Sequence, residues 1–142
     1  MSEQSIYKDV LLDHYRHPRN RGDLADAHVV QRGSNPRCGD DLEVGVNFNG
    51  DVLQKVTFRG RGCSVCLASA SMMTEAVSGK RVEDAEQLYT QMQAWFDPAV
   101  DGNKNAPAES LQALEAVREH PARRKCVLLS WEALHGAIHE NA

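Results

Sequence analysis

Asn49-Gly50, set between two runs of alternating side chains, limits the possible folds of this chain more than any other feature. Val44, Val46 and Phe48 alternate with polar or small residues before the dipeptide, and Val56 and Phe58 continue the alternation after it. Side chains on a strand point to opposite faces in turn, so each run has one apolar face, and Asn-Gly accepts the backbone of a tight hairpin turn. The segment is expected to be an antiparallel hairpin, with a third strand around Val29 and Val30. An antiparallel sheet needs no crossover helices, which bears on the cysteines below.

Helical spacing surrounds this sheet. Ile6, Tyr7, Val10, Leu11 and His14 mark an amphipathic opening helix that His17-Pro18-Arg19-Asn20 ends. Gly60 and Gly62 bracket a bend that delivers Cys63 to a helix running through Ala68, Ala70, Met73 and Ala76. Its small residues, Ala68 to Ser71, permit a close approach to the sheet. Val82, Ala85, Leu88, Tyr89, Met92 and Phe96 form the clearest amphipathic helix, with Glu83, Asp84 and Glu86 suited to its first turn. Asp97 to Ala108, with two prolines, a glycine and two asparagines, is expected to be a surface loop. A short helix holding Leu111, Leu114 and Val117 follows and ends at Pro121. Val127, Leu128, Trp131, Leu134 and Ile138 make a last apolar stripe, which puts Cys126 in the first turn of a terminal helix or just before it. No repeat or linker divides the 142 residues, a length that suits one domain, residues 1–142. The expected class is α+β, a small antiparallel sheet of about three strands packed against several helices.

The formal net charge of -4 argues against general nucleic-acid binding, and the basic groups Arg59 with Arg61 and Arg123-Arg124-Lys125 are local. Leu67 to Val77 is too short and too interrupted by serine to span a membrane, and the opening residues lack a signal pattern. A cytoplasmic protein is expected. There the four cysteines serve as thiols rather than disulfides.

Three of those cysteines occupy distinctive settings: Asn35-Pro36-Arg37-Cys38-Gly39-Asp40, Gly60-Arg61-Gly62-Cys63 and Arg123-Arg124-Lys125-Cys126. Glycine lets the backbone bend enough for the Cys38 thiolate and the Asp40 carboxylate to share one cation. A carboxylate among thiolates is a hard ligand for a soft metal, which suits a site that changes partners. Three thiolates and Asp40 around a divalent cation leave a charge of about -2, which Arg124 and Lys125 are placed to offset. Cys63 and Cys126, read as preceding helices, are expected to have lowered pKa values. The plainer reading makes all three small buried hydrophobes, although turn settings are unlike a core. Cys63-x-x-Cys66 also has the spacing of a thioredoxin-like dithiol, but that site needs a parallel sheet. Gly60-x-Gly62 is too short for a phosphate-binding loop. His14 and His17 lie near the end of the first helix. His135 and His139, at i and i+4, have chelating spacing but read as a solvated face without a third ligand.

Taken together, Tyr7-x-x-Val10-Leu11-x-Asp13-His14-Tyr15-x-x-Pro18-Arg19-Asn20, Asn35-Pro36-x-Cys38-Gly39-Asp40, Gly62-Cys63 with Ala68-Ser69-Ala70-Ser71-x-x-Thr74-Glu75, and Lys125-Cys126-x-x-Leu129-x-Trp131 resemble the U-type iron-sulfur cluster assembly proteins. Scaffolds of the IscU type usually carry histidine directly before the last cysteine. Here Lys125 stands there, and residues 97–121 resemble the insertion of the SufU branch. The SufU resemblance implies a zinc ion on Cys38, Asp40, Cys63 and Cys126. It also implies a SufS-type cysteine desulfurase as partner, downstream iron-sulfur assembly proteins, and Cys38 as persulfide acceptor. The scaffold alternative implies iron or a transient [2Fe-2S] cluster at the same four positions, with Cys126 accepting sulfur. A purely structural zinc module is the third reading. Cys66, where relatives of the SufU branch mostly have serine, is read as a buried replacement, with a spare ligand or sulfur relay as the alternative. Arg37, Arg124 and Lys125 are the expected docking charges.

Overall fold

A computed structural model of the chain describes residues 3–97, 99 and 105–141, with residues 3–6 as backbone alone. The class is α+β. Strands β1 (Val29–Asn35), β2 (Asp40–Asn49) and β3 (Val52–Arg61) lie in that order in one antiparallel sheet. The hairpin turn falls one residue later than the Asn-Gly dipeptide suggests, because Asn49 pairs with Val52 and leaves Gly50 and Asp51 as the turn. Gly50 supplies the positive φ of 61° there. The turn is tied to the following helix: the Val82 N–H donates to the Asp51 carbonyl at 2.7 Å, and Arg81 Nη2 donates to Asp51 Oδ2 at 2.8 Å.

Helix α1 (Glu3–Arg16) precedes the sheet, and α2 (Ser64–Val77), α3 (Val82–Trp95), a 3-10 helix (Glu109–Glu119) and α4 (Pro121–Asn141) follow it. Strand alternation turns Leu42, Val44 and Val46 into the core. Helix α4 packs on β1 and β2, while α2 packs on β3, α4 and α1. The Ile6 side chain, assigned to the apolar face of α1, lies outside the described residues; Tyr7, Val10 and Leu11 do rest against the core.

The sequence of α2 explains its place. Apart from the exposed Glu75 it is apolar or small all round, and every residue from Cys66 to Thr74 is buried. Its serines bond to helices on either side rather than to the sheet. Ser69 Oγ donates to the Val127 carbonyl of α4 at 2.7 Å, and Ser71 Oγ meets His14 Nδ1 of α1 at 2.8 Å.

The segment with Leu111, Leu114 and Val117 is a 3-10 helix rather than an α-helix. Three residues per turn put these three side chains in one row, and all are buried. Of the expected loop from Asp97 to Ala108, residues 105–108 are irregular, and residues 98 and 100–104 lie outside the described residues. Pro121 ends nothing by itself: it opens α4, where a missing N–H costs no hydrogen bond. Helix α4 therefore begins a turn earlier than its apolar stripe suggests. Among the described residues no helix is long and apolar enough to cross a membrane.

Candidate metal centre

Four elements deliver the expected ligands. Asn35 and Asp40 pair as the last and first residues of β1 and β2, closing a turn over Pro36, Arg37, Cys38 and Gly39. Cys38 is exposed in that turn, its N–H bonded to the Asn35 carbonyl at 3.1 Å, and Gly39 accepts φ 70°. One step on, the strand aims Asp40 inward, leaving it 1% exposed. Cys63 is the N-cap of α2, where its Sγ accepts the Cys66 N–H at 3.4 Å. Cys126 lies in the second turn of α4, fully buried, rather than in or before the first.

The thiols of Cys38 and Cys126 and an Asp40 oxygen lie within 4.8 Å of one another. Cys63 stands outside that mutual group, with its thiol beside Cys126. Asp40 Oδ1 accepts the Cys63 N–H at 2.9 Å, which links the strand to the helix cap. Asp40 Oδ2 is buried with no hydrogen-bond partner among the described residues. Buried carboxylate oxygens are rarely left unpaired, and an oxygen beside two thiols, with a third adjacent, is a donor set that suits zinc or iron. Gly62 preserves the arrangement. A Cβ there would stand 2.8 Å from Asp40 Oδ1 and 3.1 Å from Cys66 Sγ.

The electrostatics differ from expectation at two positions. The Cys126 thiol is pushed up, not down, by burial and by Asp40, Cys38 and Cys63 around it. It sits inside the helix, where the backbone N–H groups are already engaged, so no unpaired donors favour its thiolate. Arg123 is a cation beside the thiols, a member of the basic group Arg123-Arg124-Lys125 in which the sequence favours Arg124 and Lys125 for that task. Cys63 first, then Cys126 and Cys38, raise its pKa and so hold its positive charge. Arg124 instead donates through Nε and Nη2 to the Arg118 carbonyl, at 3.2 and 2.6 Å, and closes the end of the 3-10 helix. Lys125 is exposed and acts on Glu132, and Arg37 is exposed beside Cys38. Had Pro121 been read as the start of α4, Arg123 would have fallen three residues before Cys126 on the same helical face.

Cys66 is fully buried on α2, its thiol pushed strongly up by burial and by nearby Asp40. Asp41, next to Asp40, points the other way and takes both Nε and Nη2 of Arg32 at 2.8 Å, a pairing that lowers its pKa.

The family model for the NifU-like N-terminal domain matches residues 6–141. The chain belongs to this family. Within the family it is similar to the zinc-dependent sulfurtransferase SufU of Bacillus subtilis, at 38% identity over 94% of this chain and 90% of that one. It is also similar to the iron-sulfur cluster assembly scaffold protein IscU of Streptococcus pyogenes, at 37% identity over 96% and 85%. Among solved structures, a candidate iron-sulfur assembly scaffold protein for the SUF system from Fervidobacterium islandicum superposes with a TM-score of 0.83. Its identity is 28%, and the match covers 96% of this chain and 99% of the other. This NifU-like chain therefore shares sequence with both a sulfurtransferase and scaffolds.

Proposed function

We infer that this chain works in iron-sulfur cluster assembly as a zinc-dependent sulfur acceptor. In this reading Cys38, Asp40, Cys63 and Cys126 hold the zinc, and Cys38 receives sulfur from a SufS-type cysteine desulfurase. The observation that carries it is the asymmetry of the cluster: Cys38 is exposed in a turn, while Asp40 and Cys126 are buried beneath it. Cys38 is the most exposed of the cluster's thiols, ahead of the partly exposed Cys63, and can meet a donor without the fold opening. The buried, unpartnered Oδ2 of Asp40 fits a resident cation. Zinc, when bound, keeps its thiols deprotonated.

The residues do the rest. The Cys38 thiolate attacks the outer sulfur of the donor persulfide; a new S–S bond forms on Cys38, the donor S–S bond breaks, and the donor cysteine leaves as thiolate. The Asp40 anchor to Cys63 keeps the remaining ligands in place while Cys38 engages the donor. Arg123 lies where it can offset the negative charge of the thiols. Downstream assembly proteins are the expected destination of the sulfur.

The scaffold reading is favoured by the similarity to IscU. That reading assigns sulfur acceptance to Cys126, which its burial works against. Incubation with a cysteine desulfurase and cysteine, followed by peptide mass spectrometry and zinc analysis, tests the two together. One zinc per chain and a persulfide on Cys38 are expected. A persulfide on Cys126, or an iron-sulfur absorption spectrum without zinc, would replace this reading with the scaffold.

A further inference from the structure

The geometry points to a second metal site on the other end of α4, a three-ligand centre for a borderline divalent transition ion formed by Glu86, His135 and His139. One carboxylate oxygen and one ring nitrogen from each histidine lie within 4.8 Å of one another. Glu86 comes from α3 and both histidines from α4, so the third ligand absent from the sequence pattern is supplied by packing. His135 Nδ1 stands 2.9 Å from Glu86 Oε1, and His139 Nε2 stands 3.2 Å from Glu86 Oε2. Each ring thus already turns a nitrogen toward the same carboxylate.

Two features go beyond a surface ion pair. His135 and His139 are one helical turn apart, the spacing at which two imidazoles share one ion, and their ring centroids are 4.2 Å apart. The His135 ring is also stacked on Tyr89 at 4.4 Å between centroids and 13° between planes. Tyr89 lies three residues after Glu86 on α3 and fixes the plane from which Nδ1 emerges. The Tyr89 hydroxyl accepts from Gln93 Nε2 at 2.7 Å, which holds that ring in turn. Such outer contacts orient metal-binding histidines.

The donor chemistry names the class of ion. Two neutral imidazoles and one carboxylate suit zinc, nickel, copper or iron, whereas magnesium and calcium take oxygen ligands. Three protein ligands leave further positions to water, and the half-exposed setting makes the site open and weaker than a thiol cluster. An ion here would tie α3 to the C-terminal half of α4, the helix that carries Cys126 in its first half.

The thiol cluster contains no histidine, so imidazole nitrogens report this second site alone. Purified protein, freed of excess metal, is titrated with zinc chloride and followed by nitrogen-15 NMR of the histidine rings. His135 and His139 signals are expected to shift together, through Nδ1 and Nε2 respectively, with saturation at one added ion beyond any held by thiols. Glu86→Gln and His139→Gln should each weaken that response by about tenfold or more. His139 is largely exposed, so its variant folds irrespective of the role assigned here. Absence of coupled shifts, equal shifts at His14, His17, His28 and His120, or an unchanged response in both variants would overturn the site.

Discussion

Replacing Asp40 by asparagine separates two things its carboxylate does. The amide oxygen can still accept the Cys63 N–H, but an NH2 group takes the place of the unpartnered oxygen. Burying an unpaired charge is unfavourable, so the zinc-free variant is expected to melt at or above the zinc-free parent. With Asp40 in the proposed ligand set, zinc affinity should fall about tenfold or more, since an acceptor oxygen has become a donor. Thermal melts with chelator, and competition against a chromophoric zinc ligand, measure the two effects; a lower zinc-free melting point would make the carboxylate structural. The two nearby glycines differ in the same way. Gly60 has φ 134° and a Cβ there would lie 2.2 Å from the Asp41 carbonyl, so Gly60→Ala should destabilise the fold by about 3 kcal/mol or more, with or without zinc. Gly62→Ala should act mainly on zinc affinity, because its first obstacle is the Asp40 side chain. Denaturant curves at zero and saturating zinc distinguish these outcomes.

The first turn of α4 carries two adjacent arginines with different tasks. Neighbours on a helix point about 100° apart, so Arg123 faces the thiols and Arg124 faces the end of the 3-10 helix. Arg123→Gln is expected to slow sulfur acceptance from a desulfurase with little change in melting temperature. Arg124→Gln should do the reverse, costing about 1 kcal/mol through its lost bonds to the Arg118 carbonyl. Equal effects of the two on the transfer rate would show a diffuse basic patch instead. In the 3-10 helix, Leu114→Ala removes a fully buried side chain from the middle of the Leu111-Leu114-Val117 row and should cost about 2 to 5 kcal/mol in a denaturant melt. The row itself was legible, because spacing by three serves either helix type. The phase of α4 was not: reading Pro121 only as a terminator delayed the helix, which moved Cys126 to its edge and left Arg123 undistinguished from its basic neighbours.

Across the whole molecule, the cysteine cluster joins the β1–β2 turn, the start of β2, the cap of α2 and the second turn of α4, while Leu42, Val44, Leu67, Met73, Val127 and Leu134 pack β2, α2 and α4 together through apolar contacts that need no metal. Zinc removal by a chelator is therefore expected to lower the melting temperature and leave the far-ultraviolet circular dichroism native. Collapse of that spectrum on chelation would favour the structural zinc module. The sheet and most helices were legible because alternation and helical spacing are local properties of the sequence. The pairing of Glu86 with His135 and His139 was not, since it exists only once α3 lies against α4. The same dependence on packing reaches into the ligand set itself. Asp40 and Asp41 are chemically identical neighbours, one buried at the thiols and one in the grip of Arg32. Nothing but odd or even position along β2 tells them apart. Insertion of a single residue between Asp41 and Leu42 would hand the inner post to Asp41, because Leu42, Val44 and Val46 hold the rest of β2 in phase, whereas a residue added in the turn before Asp40 leaves the post unchanged. The chemistry of this protein is thus written partly in parity, and length changes inside β2, unlike those in the turn before it, should come in steps of two.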